Sequence, residues 1–312
     1  MQEPQITNIL YMKKIIVSLS LIISSSSAFF AQSPDDLLNM VEEKPKKEFI
    51  NATFKTTRLI NFHTVEVLGK RSLDFRISHR FGDFNSGAYN AWGVDGGANI
   101  RLALEYNHGS RLMFGIGRTS GRKIADGFLK YRLLKQTTKG GGMPVSVTLF
   151  TSVYHTFQQN VIIDGENKYQ SIPDRLSYCH QIMVGRKFNS RFSFQLTGAM
   201  VHVNLVDKIS DKNDCFVIGG VTRFKFTKRQ AITLEYGYRL NKYSKEKYYD
   251  SFGIGYDLET GGHVFQIHLT NSFGLTEDQY FMYTNTTWEN WGVRLGFNIS
   301  RVFSLQGKHK EE

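Results

Sequence analysis

Ten basic side chains of this sequence stand at positions that a strand would send to one face. Arg76, Arg80, Arg101, Lys130, Arg132, Lys187, Arg223, Lys225, Arg239 and Arg294 each adjoin an apolar or aromatic residue. Asp74, Glu105, Glu235, Gln266, His268 and Asn298 join the same polar set. Successive side chains of a β-strand point to opposite sides, so the charged residues share one face and the apolar residues the other. Lining a narrow passage, such a basic face favours anions. Cross-linked by carboxylates it only braces a wall, and Arg76, Arg101, Glu105, Glu235 and Arg239 have the charges for that. The spacing leaves a permeable pore and a plugged or structural barrel equally open. The candidates for lining an ion or ligand path are Arg76, Arg80, Arg101, Glu105, Lys130, Arg132, Arg223, Lys225, Glu235, Arg239, His268 and Arg294.

Other chemistry is poorly supported. His63, His79, His180, His202, His263 and His268 include no pair with zinc-like spacing and a cysteine or carboxylate partner, and His263 and His268, five apart on a strand, face opposite ways. No metal and no cofactor are expected. His268, Asn271 and Ser272 crowd one strand, but neighbouring strand positions seldom converge and no motif gives them roles, so an outer-membrane hydrolase is only a remote alternative. Gly93 to Gly97 and Gly140 to Gly142 follow no strand-to-helix pattern and read as turns. Cys179 and Cys215 fall on segments with one strand between them. Two strand spacings of about 4.8 Å exceed the roughly 7 Å that a disulfide tolerates, so the pair is expected to stay reduced.

The elements that must position these residues alternate between turn signals over twelve segments: 70–83, 98–107, 110–119, 124–136, 144–158, 174–189, 191–206, 214–228, 230–242, 248–260, 262–273 and 290–303. Most exceed the usual globular strand and suit a tilted membrane strand of about 9 to 11 residues. The joins are sorted by length. Those from even to odd segments are mostly tight, whereas those from odd to even run longer, with only Ser120 to Lys123 short. Short turns at one end and long loops at the other mark an outer-membrane barrel, with both ends of the barrel in the periplasm. A soluble β-sandwich has no reason to sort its loops. The last segment carries Trp291, Val293, Leu295, Phe297 and Ile299 on a lipid-facing stripe, and Tyr106, Tyr131, Tyr178, Tyr238, Tyr256, Trp288 and Trp291 near strand ends suit interfacial girdles.

Around this barrel, 70–303, the chain divides simply. Residues 1–31 read as an upstream extension plus a secretory signal: Lys13 and Lys14, the apolar run Ile15 to Ile23, then a small-residue exit with cleavage after Ala31. That run is too short to span about 30 Å of hydrocarbon as a helix. Residues 32–69 are a periplasmic N-terminal segment. It holds a short helix over Asp35 to Glu43, a charged linker, and a weakly alternating stretch, 49–66, that is placed in or under the lumen because bacterial barrels have even strand counts. Residues 304–312 form a polar tail. The net charge of +11 is scattered among strands of an exported chain, which argues against nucleic acid and for lipid, small anionic solutes or periplasmic proteins as partners.

Five stretches carry a family resemblance: Leu73 to Gly82 (LDFRISHRFG), Asp126 to Leu134 (DGFLKYRLL), Met143 to Phe150 (MPVSVTLF), Glu259 to Ser272 (ETGGHVFQIHLTNS) and Gly296 to Phe303 (GFNISRVF). Through them the chain resembles the outer-membrane β-barrel family of Bacteroidetes catalogued as domain of unknown function 5777. The resemblance spans about residues 49 to 303 and implies location and fold, favouring an accessory role over a free-standing porin. It supplies no catalytic or ligand residue. The expectation is therefore an all-β, antiparallel, up-and-down transmembrane barrel of about twelve strands in the bacterial outer membrane. It is not expected to be an enzyme. It is either a small pore or binding barrel with a basic lumen, or a plugged barrel that serves periplasmic partners.

Overall fold

The computed structural model describes residues 48–139, 142–163, 165–206, 210–244, 247–261 and 263–305. The leader, its exit at Ala31, the helix expected over Asp35 to Glu43 and most of the polar tail lie outside these residues. Twelve antiparallel strands close into one barrel. They are β1 (Ser72–Arg80), β2 (Asn99–Asn107), β3 (Leu112–Thr119) and β4 (Ile124–Leu134). β5 (Ser146–Thr156), β6 (Leu176–Lys187), β7 (Phe192–Val203) and β8 (Asp214–Lys225) follow. β9 (Gln230–Arg239), β10 (Ser251–Thr260), β11 (His263–Thr270) and β12 (Arg294–Ser304) complete the wall. Each strand pairs with its neighbour in sequence, and β12 returns to β1 in register from Gly296 opposite Arg80 to Ser304 opposite Ser72. Closure leaves no unpaired edge, which is the condition for strands to survive in lipid.

Strict alternation sets the two faces. On β2, Ile100, Leu102 and Leu104 are exposed on the outside, whereas Arg101, Ala103 and Glu105 are buried inside. β9 repeats the pattern with Ile232, Leu234, Tyr236 and Tyr238 outward and Thr233 and Glu235 inward. Branched and aromatic side chains favour the pleated backbone and here also meet hydrocarbon. Cys179 and Cys215 both lie opposite Val201, on the two sides of β7, and both thiols are free.

One boundary differs from the sequence reading. The last strand begins at Arg294, not Asn290, because Trp288–Asn290 form a turn of 3-10 helix and Trp291 adopts a left-handed φ of 56°. Gly292 is packed against Thr286 and Thr287, where no side chain fits. Trp291 is therefore exposed on the long-loop rim and Val293 is buried, and the lipid-facing stripe starts at Leu295.

The interior is divided. Around β10 to β2 the inward side chains are mostly charged or strongly polar, whereas on the inner wall from β3 to β8 Met113, Phe128, Phe150, Met183, Val201, Val217 and Val221 stand among polar residues such as Asp126, Lys130, Thr148, Gln195 and Arg223. Two segments of the chain enter between these halves. One is the stretch before β1. The other is part of the connection from β11 to β12, which carries the short helix α1 (Glu277–Met282), packed against β6, β7 and β8.

Candidate functional site

Residues 50–68 lie inside the barrel, most of them buried against its wall. The segment folds back on itself through a bridge between Arg58 and His63, a Leu59 N–H to Phe62 carbonyl bond of 3.0 Å and a Thr64 N–H to Thr57 carbonyl bond of 2.9 Å. Buried peptide groups need partners, and a lone hairpin satisfies only some of its own. The wall supplies the rest. Glu235 accepts from the Asn61 N–H at 2.9 Å, the Asn61 amide at 2.5 Å and the Phe62 N–H at 3.1 Å. Asn298 donates to the carbonyls of Leu59 and Ile60, both at 3.0 Å, and Lys130 Nζ donates to that of Thr57 at 3.1 Å. Gln195 accepts from the Val65 N–H at 2.7 Å and donates to the His63 carbonyl at 2.8 Å, and Thr148 donates to the Val65 carbonyl at 2.7 Å. These partners come from β5, β7, β9, β12 and β4, on every side of the lumen.

Shape follows the same footprint. A Cβ built at Gly219 on β8 would stand 2.5 Å from the Phe62 ring, and one at Gly255 on β10 would stand 3.0 Å from Ile60. The wall is smooth where the segment bears on it, as close backbone approach demands. Phe62 in turn stacks on Tyr280 of α1 at 5.4 Å and meets Phe281 edge-on at 5.0 Å. Glu277 of α1 ties the two inserts together: Arg58 Nη2 lies 3.0 Å from it, His63 Nε2 3.4 Å, and Tyr154 donates to it at 2.5 Å. Asp278, one residue on, accepts from Ser177 at 3.0 Å, and burial raises its carboxyl above the ordinary range.

Most of the candidate cations have a partner inside the barrel. Arg101 makes a two-pronged pair with Asp126, at 2.9 and 2.5 Å. Arg76 bonds Asp74 at 3.2 Å and Thr57 at 3.0 Å, with Glu105 3.8 Å away, and Glu105 accepts from Thr57 at 2.8 Å. Arg80 donates to Asn61 at 2.6 Å. Arg223 bridges Asp257 at 3.3 Å and Glu259 at 2.6 Å, with Lys225 3.6 Å from the same Glu259. Arg239 pairs with Asp250 at 3.0 Å and Arg294 with Asp83 at 3.0 Å. Arg132 lies partly buried near the short-turn rim, 4.0 Å from Glu66. His268 is buried inside with neither ring nitrogen bonded, and Ser272 Oγ is likewise unbonded, so the two do not form a nucleophile and base. Among the described residues no group of His, Cys, Asp and Glu is arranged to hold a metal.

The sequence reading placed only three acids inside and missed Asp126, Asp257, Glu259 and Glu277. Strand parity alone finds the first three, since Asp126 shares the face of Phe128 and Lys130, and Asp257 and Glu259 share one face of β10. Glu277 lies on a loop and has no parity to betray it. One cavity of about 500 Å³ remains at the short-turn end, between the insert and the wall, with Lys55, Arg76, Arg132, Lys135, Glu66 and Asp74 among its lining.

A family model described as membrane bound beta barrel domain (DUF5777) matches residues 54–303. Among solved structures the chain is similar to a KdgM porin, at 11% identity and TM-score 0.42, covering 75% of this chain and 99% of that one. It is also similar to the outer membrane phospholipase (OMPLA) dimer of Salmonella typhi with bound calcium, at 11% identity and TM-score 0.41, covering 78% and 94%. A third likeness is to Salmonella typhi OmpF in complex with daunomycin, at 8% identity and TM-score 0.35, covering 74% and 96%. No curated protein matches the sequence.

Proposed function

The chain belongs to the family of membrane-bound β-barrel domains DUF5777, and from that premise we propose that it works in the outer membrane as a closed barrel. In this reading it is a membrane-anchored platform for periplasmic partners, not a conducting pore. Its short turns and both barrel ends face the periplasm and its long connections face outward. The observation that carries the reading is the insert of residues 50–68, hydrogen-bonded to wall residues on every side. A basic lumen conducts only where its charges face water, and here most of the buried ones face carboxylates or the insert's carbonyls. Purified intact protein in a planar bilayer is expected to give no current steps above the lipid baseline. A steady, anion-preferring current from the intact chain would overturn the reading.

The remaining 500 Å³ cavity favours a second reading, a binding barrel that holds a small anion at its periplasmic mouth. Lys55, Lys135 and Arg132 stand there beside the buried Arg76 guanidinium. Calorimetric titration of the intact protein with phosphate and with small dicarboxylates tests it. Arg132→Glu is expected to weaken binding by roughly tenfold, the change of sign at one close contact costing one to two kilocalories per mole. No heat from any of these anions removes this second reading.

A further inference from the structure

Described residues of the connections from β7 to β8 and from β9 to β10, among them Ser210, Lys212, Tyr243 and Tyr248, line a cleft of about 650 Å³ at the long-loop rim. Lys212 comes from the first, Lys242 and Lys247 from the second, and all three are exposed. Among the described residues none of the three has a carboxylate at ion-pair distance. Among the described residues the acids nearby are turned elsewhere: Asp250 accepts from Arg239 at 3.0 Å and from Tyr236 at 2.9 Å, Asp211 from Ser244 at 3.0 Å, and Asp214 meets His202 at 2.7 Å. Three ammonium groups are thus left to attract an anion.

Two contacts join the described parts of these connections. The Lys212 N–H donates to the Tyr243 carbonyl at 2.6 Å, and Tyr243 stacks on Tyr248 at 5.9 Å. The cleft also opens beside lipid. Tyr238, at its edge, points outward from β9 and is half exposed, and Leu240 follows on the same outer face. A ligand seated here meets cations on one side and hydrocarbon on the other. Lysine suits phosphate as a compact point charge with three donors, and tyrosine suits the boundary between head groups and acyl chains. The volume fits a sugar-sized head group.

We infer that this cleft binds the phosphorylated head group of an outer-leaflet lipid, whose acyl chains lie along Tyr238, Leu240 and the lipid-facing side chains of β9. Free phosphate shares the chemistry but not the chains. The inference takes from the proposed function only the outward direction of the long connections, and stands whether or not the barrel conducts.

Native mass spectrometry of the detergent-solubilised full chain tests it with three probes: diphosphoryl lipid A, the same lipid stripped of both phosphates, and inorganic phosphate. The intact protein is expected to retain one diphosphoryl lipid A and to release the stripped lipid. Lys212→Glu/Lys242→Glu/Lys247→Glu is expected to weaken retention by roughly a hundredfold, at about fivefold for each lysine beside an anionic head group. The triple arginine variant is expected to keep it, and heat modifiability on gels confirms that each variant is folded. Equal retention of the stripped lipid, or of lipid A by the glutamate variant, overturns the inference, as does displacement of the lipid by an equal concentration of inorganic phosphate. Orientation is read separately: an impermeant maleimide added to intact cells is expected to label Lys242→Cys, and failure to label overturns the outward direction and with it the assignment to an outer-leaflet lipid.

Discussion

Excising residues 50–68 is expected to turn a silent barrel into a conducting one. The deleted segment reaches walls around the whole lumen, whereas α1 packs mainly against β6, β7 and β8. The variant should still fold, because strand pairing and the lipid-facing stripe remain intact and water entering the vacated space solvates Glu235, Lys130 and Arg80. Ion current in a planar bilayer should rise from baseline to resolved steps, roughly tenfold or more, with anion preference from the freed basic side chains. Loss of the heat-modifiable gel band would mark a folding failure. A folded variant that stays silent would show that the insert is not what closes the barrel.

Glu235→Ala should loosen that insert without removing it. The carboxylate is buried and accepts three hydrogen bonds from Asn61 and Phe62, two of them from backbone N–H groups. Its removal orphans these donors and the nearby Arg80 guanidinium, and truncating one partner of such a buried charged set costs about 3–5 kcal/mol. Hydrogen exchange at Asn61 and Phe62 should therefore quicken by two orders of magnitude or more, since about 1.4 kcal/mol corresponds to tenfold in an opening equilibrium. The temperature of gel-band conversion should fall with it. Glu235→Gln keeps one acceptor oxygen and should show an intermediate loss. Unchanged exchange at both amides in the alanine variant would mean that the insert is held by its apolar contacts instead.

A buried partner is expensive to remove because the insert and the wall residues around it are packed away from water. That distinction was only partly legible in the sequence. The strands, their order and their two faces were, because alternation is a local property and each face meets one uniform medium. The inward placement of Arg76, Arg101 and Glu235 followed from the same parity, and the sorted connections from the turn signals between the segments. The start of the last strand was missed because Trp291 and Gly292 keep the alternating pattern while the backbone turns through a left-handed conformation there.

What the interior does with its charges was decided by contacts between residues far apart in the chain. Asn61 finds Glu235, Lys130 finds the Thr57 carbonyl, and Arg58 finds Glu277 on a different connection. No spacing encodes these meetings. They arise because a twelve-stranded lumen is wide enough to admit chain and its unmet charges are too costly to leave dry. The sequence by itself therefore determined that this protein is a barrel in a membrane and which side of each strand faces lipid. Only the tertiary structure decided that the basic face would be neutralised and covered, since that depends on which chain segment fills the space that closure creates.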